Sequence, residues 1–321
     1  MRLLKLVPDN TNIDFMRWRN VALMLSIIVT FASIALVAAR GLNLGVDFVG
    51  GQMIRATFSQ PAPIEDIRAR IGALGLGDAS ISEFGNSRTL SIRMGLPPGG
   101  EEAANAAGSR VRAAITAKYP DTVFAVDTVS GKVSNELYRS GALAIALAML
   151  GIAVYIWFRF EWQFGVGALT TLFHDVAMTM GFFSLTQLEF NLNVVAAILT
   201  IVGYSLNDTV VIYDRIRENL RKFRKMEIVP LLNVSLNETL SRTMVTSLSI
   251  MLALVVLLIL GPEVIFGLTI AILLGTFIGT YSSIYISAPV LVWLKVDSNS
   301  FLPKNAGTSS AERVPSRNES F

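Results

Sequence analysis

The chain has 321 residues, of which 52% are apolar and only 16% charged, well below the roughly 25% charged residues of a soluble domain. It carries 27 basic and 24 acidic residues, a net charge of +3 that favours no nucleic-acid partner. With no cysteine and a single histidine, His174, it has no disulfides, thiolate sites or multi-histidine metal centre.

The charges are clustered between long apolar runs, and runs of 18 or more uncharged residues suffice to cross a bilayer. Residues 1–20 are polar and hold Arg2, Lys5, Arg17 and Arg19, which reads as a cytoplasmic segment. Residues 21–39 are uncharged over about 19 positions, too long for a cleaved signal peptide and right for a retained first transmembrane helix. Residues 40–137 hold ten basic and ten acidic residues and read as a folded domain outside the membrane. Within it, residues 45–51 (GVDFVGG) predict an irregular connector, with Asp47 capping or turning it and Gly45, Phe48, Gly50 and Gly51 beside it. Then residues 52–58 alternate as a strand, Ile64, Ile67, Ile71 and Leu74 repeat at helical spacing, and 79–84 and 89–94 are strands around a turn at 85–88. After the break at Pro97-Pro98-Gly99-Gly100, an alanine-rich helix over 101–118 and a strand over 123–129 complete a βαββαβ order. The expected fold is therefore a six-helix membrane protein carrying an α+β, ferredoxin-like domain between helices 1 and 2.

The five remaining spans lie within 138–294, centred on 142–158, 164–185, 190–212, 244–260 and 264–294; the last is too long for one perpendicular crossing and must tilt or begin at the interface. Residues 213–242 read as a basic loop with Arg215, Arg217, Arg221, Lys222, Arg224 and Lys225, while the short loops at 186–189 and 261–263 have no basic residue. Both termini and that loop then face the cytoplasm. The polar, serine-containing stretch at 295–321 reads as a disordered cytoplasmic tail.

Charged residues inside spans are functional suspects. Asp175 lies mid-span in the third helix. Asp208 lies near the cytoplasmic end of the fourth and Arg242 at the start of the fifth, so the two are expected at similar depth as an ion pair, with Ser205, Asn207, Thr243 and Thr246 as hydrogen-bonding neighbours. Each has a bland alternative: a structural tie, an arginine that snorkels to headgroups, or a neutral buried acid. His174 points about 100° away from Asp175 around the helix, which argues against a dyad. Gly275 and Gly279 form a GxxxG expected at a lateral contact with a partner bundle. No P-loop, serine elbow or zinc-protease signature is present, so no catalytic function, metal or cofactor is expected.

Four stretches carry a resemblance: GVDFVGG at 45–51, FHDVAMTMG at 173–181, GYSLNDTVVIYDRIREN at 203–219 and NETLSRTMVTS at 237–247. In order and placement they resemble the SecD/SecF family of protein-export membrane proteins, in the resistance-nodulation-division superfamily. The resemblance implies a bacterial inner-membrane protein with its insert in the periplasm, forming one half of a twelve-helix unit with SecD. It further implies association with the SecYEG channel and YajC, and use of the proton-motive force to draw preproteins outward. The family's membrane acid falls on Asp208, its arginine on Arg242 and its HD pair on His174 and Asp175. A small-molecule or lipid exporter of the same superfamily is the competing reading, disfavoured by the single insert of about 95 residues; a purely structural scaffold is disfavoured by the embedded charges.

Overall fold

The computed structural model describes residues 11–76, 79–95, 97 and 99–296. Most of the expected tail, and residues 1–10, lie outside them. The first span is α1, Arg19–Arg40, preceded by a 3-10 turn at Phe15–Trp18. A one-turn helix, α2 (Val46–Val49), leads into the extramembrane domain: β1 Gly51–Thr57, α3 Ile64–Gly72, β2 Ala79–Phe84, β3 Asn86–Met94, α4 Gly100–Thr116 and β4 Val123–Val129. The remaining spans are α5 Gly131–Arg159, α6 Trp162–Thr186, α7 Leu192–Lys222, α8 Ile228–Leu260, and α9 Phe266–Tyr285 continued by α10 Ser287–Trp293. Among the described residues, six helical segments are thus long and apolar enough to cross a membrane.

The domain's four strands are all antiparallel in the order β2-β3-β1-β4, the arrangement of two interleaved βαβ units. The period-two pattern of β1 puts Ile54 and Ala56 into the core, where they meet Leu90 and Ile92 of β3, Ile67 and Ile71 of α3, and Val111 and Ile115 of α4. The expected four-residue turn between β2 and β3 is tighter: only Gly85, at φ +70°, separates the strands. Gly51 opens β1 at φ +119°, and a Cβ there would lie 2.3 Å from the Met94 carbonyl oxygen. Only glycine meets both conditions.

In the membrane, α6, α7 and α9 form the interior: about half of each apolar window is buried, against 11–17% for α1, α5 and α8. Small residues set these contacts. A Cβ on Gly181 of α6 would strike Ser33 of α1, and one on Gly167 would strike the Tyr213 hydroxyl of α7. Gly275 and Gly279 of α9 face Ile201 and Ser205 of α7. This corrects the expectation that they form a lateral interface: the GxxxG is used inside the chain, to bring α9 against α7.

Two further expectations change. The segment 213–242 is not a loop. Helices α7 and α8 run through it, with a connection of only five residues, and their polar faces are tied by Arg215 to Glu238 (2.7 Å) and Asn219 to Glu238 (2.7 Å) while Ile216, Leu220, Leu231 and Leu232 fill the seam. The N-terminal strap docks on this hairpin: Ile13 N–H donates to Asn237 Oδ1 (2.9 Å) and Met16 N–H to Asn233 Oδ1 (3.0 Å). The long sixth span is broken between α9 and α10 at Ile286, three residues before Pro289, which has no backbone N–H to donate.

Candidate functional site: an intramembrane polar cluster and its periplasmic junction

Asp175 on α6 is fully buried where α6, α7 and α9 converge. Its Oδ2 accepts from Ser205 Oγ of α7 (2.5 Å) and Ser282 Oγ of α9 (2.9 Å), and its Oδ1 lies 2.9 Å from His174 Nδ1. Gly279 makes this possible, since a Cβ there would sit 3.2 Å from the Ser205 Cβ and hold α9 away. All three partners can donate or accept, serine by rotating its hydroxyl and histidine by changing tautomer. Among the described residues no arginine or lysine pairs with this carboxyl; its partners are two hydroxyls and an imidazole.

His174 and Asp175 are therefore in contact. The 100° separation governs the Cα–Cβ bonds, and the two side chains bend toward one another from there. Ser205 likewise serves Asp175, not an Asp208–Arg242 pair. Ser282 was not expected; its only signal in the sequence is a pair of serines among other small polar residues of the span.

Asp208 lies one turn further along α7 than Ser205, about 4.5 Å in axial rise, so the two acids occupy adjoining layers. It is 3% exposed, and its Oδ2 has no hydrogen-bond partner. Arg242 of α8 exerts an attraction on it, but among the described residues the two form no ion pair. Arg242 and Asn207 are exposed on the surface of the chain. Thr246 bonds back to the Arg242 carbonyl (3.0 Å), and the Thr243 hydroxyl is buried without a partner. The expected ion pair is thus replaced by a buried acid and an outward-facing guanidinium. The extension of α7 and α8 also moves both residues to mid-helix, away from the helix ends.

A second hydroxyl chain crosses the same bundle: Tyr204 Oη donates to Ser247 Oγ of α8 (2.9 Å), which meets Thr280 Oγ1 of α9 (2.8 Å). At the periplasmic end, the 45–51 segment is pinned to the α6–α7 loop. Gly45 N–H donates to the Phe190 carbonyl (2.9 Å), Phe190 N–H to the Asn43 carbonyl (2.8 Å), and Leu192 N–H to Asp47 Oδ2 (3.0 Å). Asp47 therefore accepts from the first N–H of α7, the helix that carries Ser205 and Asp208, beside that helix's own N-cap Asn191, which accepts from Val194 N–H (3.3 Å). Phe48 packs edge-on against Tyr138 and tilted against Phe190. Gly50 supplies the left-handed backbone (φ +76°) that turns the chain into β1.

A buried glycine-lined helix bundle with embedded acids, capped by one small α+β domain, defines a polytopic membrane protein with a folded extramembrane part. Comparison with known proteins agrees. The family model for protein export membrane protein SecD/SecF, C-terminal, matches residues 111–297, and the model for the SecD/SecF GG motif matches residues 35–62. The chain is 42% identical over 290 residues to protein translocase subunit SecF of Rickettsia akari (strain Hartford), covering 90% of this chain and 94% of that one. It is 40% identical over 301 residues to the same subunit of Pseudomonas aeruginosa, with 94% and 97% covered. A crystal structure of SecDF from Thermus thermophilus superposes with a TM-score of 0.82 at 34% identity over 90% of this chain; the chain spans 40% of that longer one. SecDF in a super-membrane-facing form superposes with a TM-score of 0.65 at 33% identity, over 89% of this chain and 39% of that one. The chain belongs to the SecD/SecF family: a multi-pass inner-membrane protein with a periplasmic domain, of the type that serves the Sec translocase.

Proposed function

We propose that this chain is a proton-driven accessory subunit of preprotein translocation, that it completes a twelve-helix unit with SecD, and that this unit works beside SecYEG and YajC. The single observation that carries the proton role is the buried, unpartnered carboxyl oxygen of Asp208 one turn from the Asp175 cluster. A buried carboxylate without a partner costs several kcal/mol unless it is protonated or supplied with water or a cation. Asp208 thus has a reason to exchange a proton, and the outward position of the neighbouring Arg242 and Asn207 presents those two side chains to groups from a second half. Asp175 ties α6, α7 and α9 together whichever form it takes.

Energy does not limit the scheme. One charge crossing 100 mV yields about 2.3 kcal/mol, enough to bias a two-state equilibrium roughly fifty-fold. The family's fold is found in two arrangements that match this chain at 34% and 33% identity but with TM-scores of 0.82 and 0.65, which supports a moving part.

The test is preprotein export by inverted membrane vesicles at matched protein level, with a proton gradient imposed and then collapsed. Asp208→Asn is expected to insert and assemble but to lose the gradient-dependent part of export, and Arg242→Lys to be impaired because a point charge does not reproduce the planar fork that Arg242 offers outward to the second half. If Asp208→Asn responded to the gradient like the unmodified protein while Asp175→Asn did not, the coupling role would belong to Asp175.

A further inference from the structure

The periplasmic junction contains an acid that the membrane cluster does not use. Glu189 sits in the α6–α7 loop with its side chain only 7% exposed, facing a cavity of about 240 Å³ between the loop and the periplasmic domain. Its Oε1 has no hydrogen-bond partner. The nearest cation, Arg93 of β3, stands 4.0 Å from Oε2, too far for a hydrogen bond. Arg93 spends one nitrogen on the junction itself, donating to Asn43 Oδ1 (3.1 Å) and the Leu44 carbonyl (2.7 Å). Gly45 makes room for the acid: a Cβ there would lie 2.7 Å from Glu189 Oε1.

From this geometry we propose that Glu189 is a periplasmic proton-binding site that controls how firmly the α+β domain sits on the membrane bundle. The charges that face it come from Arg93 on β3, Arg55 on β1, Asp47 on α2, Asp127 on β4 and Glu83 of β2 at the cavity wall, while α9 presents only Phe266 and Gly267. Arg55 is already engaged by Asp127. Burial pushes the Glu189 carboxyl above its ordinary 4.5; Arg93 and Arg55 pull it back, and Asp47 and Asp127 add to the rise.

The direction of the effect follows by linkage. The docked state holds the proton more tightly than a state with Glu189 in water, so protonation strengthens docking. That contribution is complete below the ordinary carboxylate range and is lost as pH rises through the elevated value. Protons arriving on the periplasmic side therefore seat the domain, and their loss loosens it. Glu189 lies between spans, so this holds whichever membrane acid carries the transported proton.

The absence of native cysteine permits a clean test. Nitroxide labels are placed on cysteines at Ala69 of α3 and Leu185 at the end of α6, both exposed, in the full chain in lipid nanodiscs. Pulsed electron paramagnetic resonance reads the distance between them from about pH 5 to about pH 8, spanning the range above an ordinary carboxylate. The expected result is one short distance at low pH and a growing longer component as pH rises. Glu189→Gln, which mimics the protonated form, should keep the short distance throughout and lose the pH response. Arg93→Gln should enlarge the long component more at high pH than at low, because the ionised carboxyl loses its nearest cation. A distribution that ignores pH in the unmodified chain, a pH response that survives Glu189→Gln, or an Arg93→Gln response no larger than the original would each overturn the proposal. The readout needs no preprotein and no gradient, so it is independent of the export assay.

Discussion

The contact between α7 and α9 can be tested by a single methyl group. An alanine Cβ at Gly275 would lie 2.3 Å from Ile201 Cγ1 and 2.4 Å from Cδ1, against the roughly 3.5–4.0 Å of a relaxed carbon pair. The helices must separate, or Ile201 must leave its rotamer, which costs about 1–3 kcal/mol. Ile201 is itself 1% exposed, so Ile201→Ala alone opens a cavity and costs about 2–5 kcal/mol. In the double variant the new methyl occupies part of the space that the isoleucine vacates. The two effects should then fall short of their sum by about 0.5–3 kcal/mol, the size of coupling expected between residues in contact. Reversible unfolding of the purified single chain in mixed micelles, followed through its four tryptophans, measures the cycle. Strict additivity, or a Gly275→Ala variant as stable as the original, would refute the internal packing and return Gly275 to a surface that waits for another protein.

Two further outcomes are expected. Asp66 on α3 is held down to about 2 from 3.8, first by Arg70 and then by Lys118, with a further hydrogen bond from Tyr119 Oη. Its contribution to stability is present above pH 3.8 and lost as pH falls through 2, so Asp66→Asn should flatten the acid-side loss of hydrogen-exchange protection across α3 and α4; an unchanged acid limb would contradict the assignment. Asp47→Ala removes the side-chain acceptor of Leu192 N–H at the start of α7 and should cost about 0.5–2 kcal/mol in the same unfolding assay, with Asp47→Asn recovering most of it.

Much of this was readable from periodicity. The strands of the periplasmic domain alternate because one face of the sheet is covered by α3 and α4, and the spans declare themselves by length and lack of charge. What misled was charge density. Residues 213–242 hold too many arginines and lysines for a membrane and read as a loop, yet the polar residues fall on one side of a helical hairpin whose other side is closed by leucine and isoleucine. That error also set the depth of Asp208 and Arg242, and hence the expected contact between them. Gly275 and Gly279 announced close packing, but a GxxxG does not name its partner. Ser282 and Glu189 were missed for a plainer reason. A serine pair among other small polar residues of a span and a lone acid in a short loop gain meaning only when the fold brings Asp175 to one and the periplasmic domain to the other.

The strap at the N-terminus has a consequence in time. Ile13 and Met16 leave the ribosome well before their partners Asn237 and Asn233, which follow 224 and 217 positions later. At roughly 5–20 residues per second, that gap is on the order of ten to forty seconds. Throughout it, the first span must rest in the bilayer with its cytoplasmic end unattached. The closing of the strap on α8 thus comes long after the first span is made, and it records that four of the six spans have been laid down and the fifth begun.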